Sequence, residues 1–121
     1  MTQIPNKVRR MQDRYGEQNR FYTFLKRVLL YIFRLIGFTV ISSPMLEMKD
    51  LIVRSVGEGS DVVSKELYDV IDKKGRELVL KPESTAGIMR SYLENFKEEP
   101  QPVYMYYIEP HFRYDRPQKE R

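Results

Sequence analysis

The most regular hydrophobic pattern of the chain lies in its N-terminal third. Apolar residues recur at helical spacing along one line: Phe21, Leu25, Val28, Ile32 and Leu35. A second line runs beside it: Tyr22, Leu29, Phe33 and Ile36. The pattern predicts a helix from about Arg14 or Glu17 to Ile36, with Asp13 as its cap and Gly37 at its end. Such a helix is expected to bury one face on its own core and one on another surface, or else to lie in a single thick core.

The rest of the chain predicts short elements in the order β, α, ββ, α, β. They are a strand at Thr39–Ile41 stopped by Pro44, a helix at Met48–Val56 ended by Gly57, strands at Leu67–Ile71 and Glu77–Leu80 around a turn, a helix from Ser84 to about Phe96, and a strand at Val103–Ile108 resumed at Phe112–Tyr114. This order predicts the α+β class with a mostly antiparallel sheet and flanking helices.

Composition limits the chemistry. The 121 residues are one domain's worth or less, and 41% of them are hydrophobic. With no cysteine and one histidine, disulfides, thiol nucleophiles and a protein-built zinc site are excluded. The net charge of +4 suits either a polyanionic partner or a solvated basic surface. No apolar run has the width of a membrane, so we expect a soluble, cytoplasmic protein.

No Walker loop, dinucleotide fingerprint or catalytic triad pattern occurs in the chain. Four other segments carry the signal: Gly37–Leu46 (GFTVISSPML), Arg54–Tyr68 (RSVGEGSDVVSKELY), Leu80–Gly87 (LKPESTAG) and Tyr107–Lys119 (YIEPHFRYDRPQK). Together, and in this order, they resemble the histidine-type class II aminoacyl-tRNA synthetases of bacterial pattern.

The resemblance implies that residues 1–121 are the N-terminal part of a class II catalytic domain. Motif 1 would span about 37–46 and form a homodimer interface, and motif 2 would begin at about 107–121. The fold would then be incomplete, from motif 1 through the start of motif 2. The rest of motif 2, motif 3 and the anticodon-binding domain are expected to lie outside the chain.

The reaction implied by the resemblance is activation of histidine by ATP, with Mg²⁺, followed by transfer to tRNA(His). Arg113, on a strand, would neutralise the two anions that meet in this reaction, the carboxylate and the α-phosphate. Glu83 and Thr85 would bind the ammonium of histidine, Asp115 would contact adenine, and Arg121 would reach the terminal phosphate. No residue is assigned to a metal.

Simpler interpretations exist for the same residues. Arg113 would be a surface arginine in a salt bridge, and Glu83 a carboxylate that complements a helix dipole. His111 is expected to have no catalytic role. At the level of function, the alternative is a non-catalytic dimerisation or regulatory module, such as the regulatory subunit of histidine biosynthesis. A basic tRNA-binding piece is a third reading.

The chain departs from the family pattern at five positions: Arg10, Lys81, Ser84, Glu109 and Asp115. Glu109, in place of a glycine, matters most because it adds a negative charge near the expected ATP. Its carboxylate would repel the triphosphate or pair with Arg113; alternatively it would point away into solvent.

Overall fold

The computed structural model describes residues 3–115. Its elements are α1 (Gly16–Leu35), β1 (Thr39–Val40), β2 (Leu46–Met48), α2 (Lys49–Val56), a π-helical turn (Val62–Glu66), β3 (Asp69–Ile71), β4 (Glu77–Leu80), α3 (Thr85–Asn95) and β5 (Met105–Tyr106). The mixed helices and strands confirm the α+β prediction. In the described part of the chain, no helix combines the length and apolar character needed to cross a bilayer.

The larger sheet is antiparallel and has the order β2-β4-β3. The predicted hairpin is confirmed, with Val70 opposite Leu78. Its turn is held by the Asp72 carboxylate, which accepts hydrogen bonds from the backbone of Lys74 and Arg76. Gly75, with φ of 80°, supplies the left-handed residue that the turn requires. Strand β2, which was not predicted, pairs along the other edge of β4.

A small core lies between this sheet and two helices. Its buried members are Ile52, Leu67, Val79 and Ala86. Ile52 comes from α2 and Ala86 from the first turn of α3, so the core fixes the start of α3 against β4. That placement matters because Leu80–Gly87, one of the segments that resemble the family, spans the start of α3.

Helix α1 lies apart from this core and has no buried residue. Phe33, from its second apolar line, stacks on Tyr106 with ring centroids 4.7 Å apart. Beneath it, β1 and β5 form a two-stranded parallel pair. The first apolar line is exposed along its whole length: Phe21, Leu25, Val28, Ile32 and Leu35. One face of α1 therefore packs on its own chain, and the other has no cover among the described residues.

Helix α1 begins at Gly16, between the two predicted starting residues, but its N-cap position is Tyr15 rather than Asp13, and the Tyr15 side chain makes no capping bond. Gly16 has φ of 63°, a left-handed conformation that glycine adopts without steric cost. The predicted extent of the last strand was wrong. The last strand is confined to Met105–Tyr106, and residues 112–114 form no strand. The backbone N–H groups of this segment bond to two separate parts of the chain: the N–H of Phe112 donates to the carbonyl oxygen of Lys81, and the N–H of Tyr114 donates to that of Glu66. The segment therefore forms no continuous ladder with one neighbouring strand.

Candidate functional site

The first candidate residues stand at the start of α3. The Glu83 carboxylate accepts hydrogen bonds from the backbone N–H groups of Thr85 (2.7 Å) and Ala86 (3.2 Å). It therefore caps the helix and complements its dipole, as the simpler interpretation expected. Ser84 occupies the N-cap position, as predicted, but its hydroxyl makes no capping bond. Capping also fixes the direction of the Glu83 carboxylate while each oxygen keeps a lone pair for a ligand.

Arg113 also contacts the backbone at the start of α3. Its Nε–H donates to the carbonyl oxygen of Pro82, 3.1 Å away, so the guanidinium lies against the residue that precedes Glu83. Arg113 is exposed, and within the described residues its Nη atoms have no hydrogen-bond partner. The surface salt bridge of the simpler interpretation is absent from that part of the chain. The prediction that a strand carries Arg113 was wrong, since the segment is held by single hydrogen bonds instead.

The remaining predicted nucleotide contacts lie near the end of the described chain. Asp115 is half-buried, and its backbone N–H donates to the carbonyl oxygen of Arg113 at 2.9 Å. Arg121, the predicted contact for the terminal phosphate, lies outside the described residues. Glu83, Thr85 and Arg113 are thus brought to one place through Pro82. The binding roles of these three residues and of Asp115 stay predictions.

Behind these residues lies a buried ion pair. Lys81 Nζ is 2.8 Å from Glu109 Oε2, and the two side chains are 3% and 5% exposed. Lys81 also donates to the carbonyl oxygen and the hydroxyl of Ser43. Glu109 accepts further bonds from Ser43 N–H (2.6 Å), the Ser43 hydroxyl (3.1 Å) and the Ser84 hydroxyl (2.5 Å). All three ammonium protons and both carboxylate oxygens are therefore satisfied, as burial of such charges requires.

This environment changes the acidity of Glu109. Burial by itself raises the pKa of the carboxyl, but the hydrogen bonds from Lys81, Ser84 and Ser43 outweigh burial and lower the pKa to about 2. Glu109 is therefore a fixed anion at neutral pH. Its charge is balanced by the ammonium of Lys81.

His111 joins the edge of this cluster. Its Nε2 lies 2.7 Å from the Ser84 hydroxyl oxygen. Because the Ser84 proton is given to the Glu109 carboxylate, which can only accept, Nε2 of His111 must carry the proton that it donates to Ser84. His111 thus has a structural contact that the sequence did not indicate.

Two of the three hypotheses about Glu109, pairing with Arg113 and pointing into solvent, were wrong. The carboxylate does not pair with Arg113, whose Nε donates to Pro82, and it does not point into solvent. With Lys81 beside it, it presents no uncompensated charge to a triphosphate. Three of the five residues that depart from the family pattern are in contact: Lys81 and Ser84 both bind the Glu109 carboxylate. Opposite charges at two departing positions were the sequence signal that could have suggested this pairing.

A separate groove of about 500 Å³ opens between α2 and α3. Its lining is largely apolar and includes Leu51, Met89 and Leu93, with Thr85 at one end. Glu83 and Arg113 are not among its lining residues, so of the three residues around Pro82 the groove is lined by Thr85 alone.

Comparison with known proteins shows the family to which the chain belongs. The family model described as histidyl-tRNA synthetase matches residues 10–121. The chain belongs to the histidyl-tRNA synthetase family. Over 117 residues it is 43% identical to the histidine–tRNA ligase of Mycoplasma mycoides, covering 95% of this chain and 28% of that protein. Over 115 residues it is 43% identical to the ligase of Thermodesulfovibrio yellowstonii, covering 94% of this chain and 27% of that protein.

Solved structures give the same family and class II fold. The apo histidyl-tRNA synthetase of S. aureus superposes with a TM-score of 0.74 at 30% identity, covering 94% of this chain and 30% of that one. A protein from Bacillus halodurans, named as an ATP phosphoribosyltransferase regulatory subunit/histidyl-tRNA synthetase, gives a TM-score of 0.79 at 25% identity, covering 93% and 29%. The chain thus spans less than a third of the length of these relatives.

Proposed function

We propose that this chain is the part of a histidine–tRNA ligase that binds histidine and the α-phosphate of ATP. The observation that carries the proposal is the meeting of Glu83, Thr85 and Arg113 around Pro82. A fixed anion and an exposed cation are there held on adjacent backbone, as recognition of a zwitterionic amino acid requires. Family membership supplies histidine as the amino acid.

In the proposed reaction, a carboxylate oxygen of histidine attacks the α-phosphorus of ATP. The new O–P bond forms as the bond to pyrophosphate breaks, which leaves histidyl-adenylate. Arg113 would stabilise the charge shared by the carboxylate and the α-phosphate, because its Nη atoms face no partner in the described chain. Glu83 would hold the ammonium group, and the exposed Thr85 hydroxyl would add a hydrogen bond.

The later partners rest on the family alone. The histidyl group would pass from the adenylate to the 3′ end of tRNA(His), in the cytoplasm. Asp115 and Arg121 would contact ATP, as the motif suggests. Mg²⁺ would accompany the ATP phosphates; the described residues bring together no group of three or more acidic or histidine side chains that could hold a metal, and no step is assigned to it.

The activity can be tested in a chimera in which this chain replaces the matching part of the Mycoplasma mycoides ligase. We expect histidine-dependent ATP–pyrophosphate exchange, reduced about a hundredfold by Arg113→Ala, because a transition-state charge loses its counter-charge. Arg54→Ala is the matched control, since Arg54 is an exposed arginine whose ion-pair partner among the described residues is Asp50. Equal activity of Arg113→Ala and Arg54→Ala chimeras would refute the role of Arg113.

The 121-residue chain alone is expected to show little or no exchange, because it spans only 28% of the length of its curated relatives. The same assay on the purified chain is the measurement. Strong exchange that disappears in Arg113→Ala would contradict this expectation and identify a minimal active unit.

The second candidate function is a non-catalytic regulatory module. It is favoured by the similarity to the Bacillus halodurans protein, whose name includes a regulatory subunit. The chimera separates the two candidates. A folded chimera that binds neither histidine nor ATP, beside an active parent ligase, would support the regulatory module.

We also propose a homodimer built on the exposed face of α1. Five large apolar side chains lie along that face, including Phe21 and Leu35, each 67% exposed. A row of this kind on one helix is typical of a protein interface. Leu25→Lys should shift the chain from dimer to monomer in sedimentation velocity, because it places a charge in the apolar row.

Thr23→Lys is the control for this prediction. Thr23 is exposed on α1 but belongs to neither apolar line, so the same added charge should leave the dimer intact. A monomeric unmutated chain at micromolar concentration would contradict the proposal.

A further inference from the structure

The buried pair of Lys81 and Glu109 joins the two segments that carry the candidate site. Lys81 directly precedes the residues around Pro82, and Glu109 lies four positions before Arg113. Each is almost completely buried, at 3% and 5% side-chain exposure. Neither charged group therefore contacts a ligand directly. The two residues can affect the site only by fixing the position of the backbone to which they are bonded.

Five contacts tie the two segments together. Lys81 Nζ pairs with the Glu109 carboxylate, and the Ser84 hydroxyl donates to the same carboxylate and contacts His111 Nε2. The Phe112 N–H donates to the Lys81 carbonyl oxygen, and Arg113 Nε donates to the Pro82 carbonyl oxygen. Ser43, from the loop before β2, closes the cluster from a third side. Because residues 107–115 form no strand, these bonds replace a sheet ladder in setting the register of the segment.

We propose that Lys81 and Glu109 are positioning residues of the candidate site: their ion pair fixes the register in which Arg113 meets the backbone beside Glu83. The proposal rests on the proposed function for the identity of the site, but the positioning itself can be measured without it. Buried ion pairs contribute little net stability compared with apolar replacements, and their best-attested use is to specify one arrangement among several.

The test compares two variants that each remove an ion pair containing a buried carboxylate. In Lys81→Met/Glu109→Gln, both charges are removed, so no unpaired charge is left in the interior. The matched control is Glu47→Gln/Arg90→Met. Glu47 is 6% exposed and bound to Arg90, and that pair joins β2 to α3 without touching residues 109–113.

Two signals of ¹⁵N-labelled protein report the register: hydrogen exchange of the Phe112 amide and the Nε–H resonance of Arg113. In Lys81→Met/Glu109→Gln we expect Phe112 protection to fall about tenfold or more and the Arg113 resonance to move to its free position, while core amides such as Val79 stay protected. The control variant should leave both signals unchanged. Lys81→Arg, which keeps a cation at this position, should preserve them.

Ser84→Ala is the second variant, for the case that the double variant does not fold. It removes one hydroxyl from the cluster and neither charge, and we expect Phe112 protection to fall about threefold. Phe112 and Arg113 signals that stay at their unmutated values in whichever of these variants folds would overturn the proposal. An equal loss in the Glu47→Gln/Arg90→Met control would also overturn it, since the effect would then be general destabilisation.

Titration with histidine separates this proposal from the function. If histidine shifts the Thr85 and Arg113 signals of the unmutated chain, binding should weaken in the double variant and not in the control. If histidine leaves the unmutated chain unaffected, the proposed function fails for this chain. The exchange and Nε–H measurements then still decide whether Lys81 and Glu109 set the register.

Discussion

Replacing Lys81 by methionine is expected to lower the free energy of unfolding by about 3–5 kcal/mol at pH 7, because it leaves a buried carboxylate without its cation. Glu109 would keep its bonds from Ser43 and Ser84, but these hydroxyl and amide donors are neutral and balance no charge. Part of the loss would be avoided by protonation, so the pKa of Glu109 should rise well above about 2 in this variant. Urea unfolding followed by circular dichroism measures the change.

Two further variants make this prediction specific. Adding Glu109→Gln to Lys81→Met should restore most of the lost stability, because the unpaired charge disappears. Lys49→Met is the control: Lys49 pairs with Asp69 at the surface, where side chains are 32% and 58% exposed, and its loss should cost less than about 1 kcal/mol. A Lys81→Met protein no less stable than Lys49→Met would show that the pair is not buried as the structure has it.

The elements predicted correctly from the sequence are those with local signals. Gly57 ends α2, with φ of 100°, and Gly75 permits the turn between β3 and β4. Strand β2 was missed because nothing local marks Leu46–Met48 as a strand. Its three residues form a strand only by pairing with β4, thirty or more positions away.

The segment that carries Arg113 was predicted as a strand because its residues are aromatic and β-branched. Tyr104, Tyr106 and Phe112 suit a sheet by propensity. Within residues 3–115, however, only Met105–Tyr106 of this segment pairs with another strand, namely β1. Beyond Pro110, the N–H of Phe112 donates instead to Lys81, just after β4, and the N–H of Tyr114 donates to Glu66, in the π-helical turn. Propensity describes the residue, whereas a strand also needs a partner.

The candidate site was found through its motifs, but its internal contacts were not predictable in the same way. Glu83 and Arg113 were singled out because of the segments that contain them, and the structure brings both to Pro82. Lys81 and Glu109 are 28 positions apart in the sequence, and knowing that both depart from the family pattern does not tell how far apart they lie in the fold. Only the fold shows that two departures from the pattern neutralise each other.

Acid is expected to lower the free energy of unfolding by protonating Glu109. Its pKa is lowered from 4.5 to about 2 on folding, so the folded state binds fewer protons than the unfolded state between these values. The stabilisation is therefore complete above about pH 4.5 and is lost as the pH falls toward 2. A shift of this size corresponds to about 3 kcal/mol at neutral pH. Asp72 acts in the same direction, since hydrogen bonds from Arg76 lower its pKa.

Comparison of urea unfolding between pH 5 and 2 isolates the share of Glu109. The unmutated chain should lose stability steeply over this range, whereas Lys81→Met/Glu109→Gln, which has no carboxyl at position 109, should show a shallower curve. Asp72→Asn is the matched control, because Asp72 lies in the exposed turn between β3 and β4, where solvent screens its charge. It should change the slope much less. Parallel curves for the unmutated chain and the double variant would mean that Glu109 titrates in the folded protein as it does in the unfolded chain, and the buried ion pair would then contribute nothing to acid sensitivity.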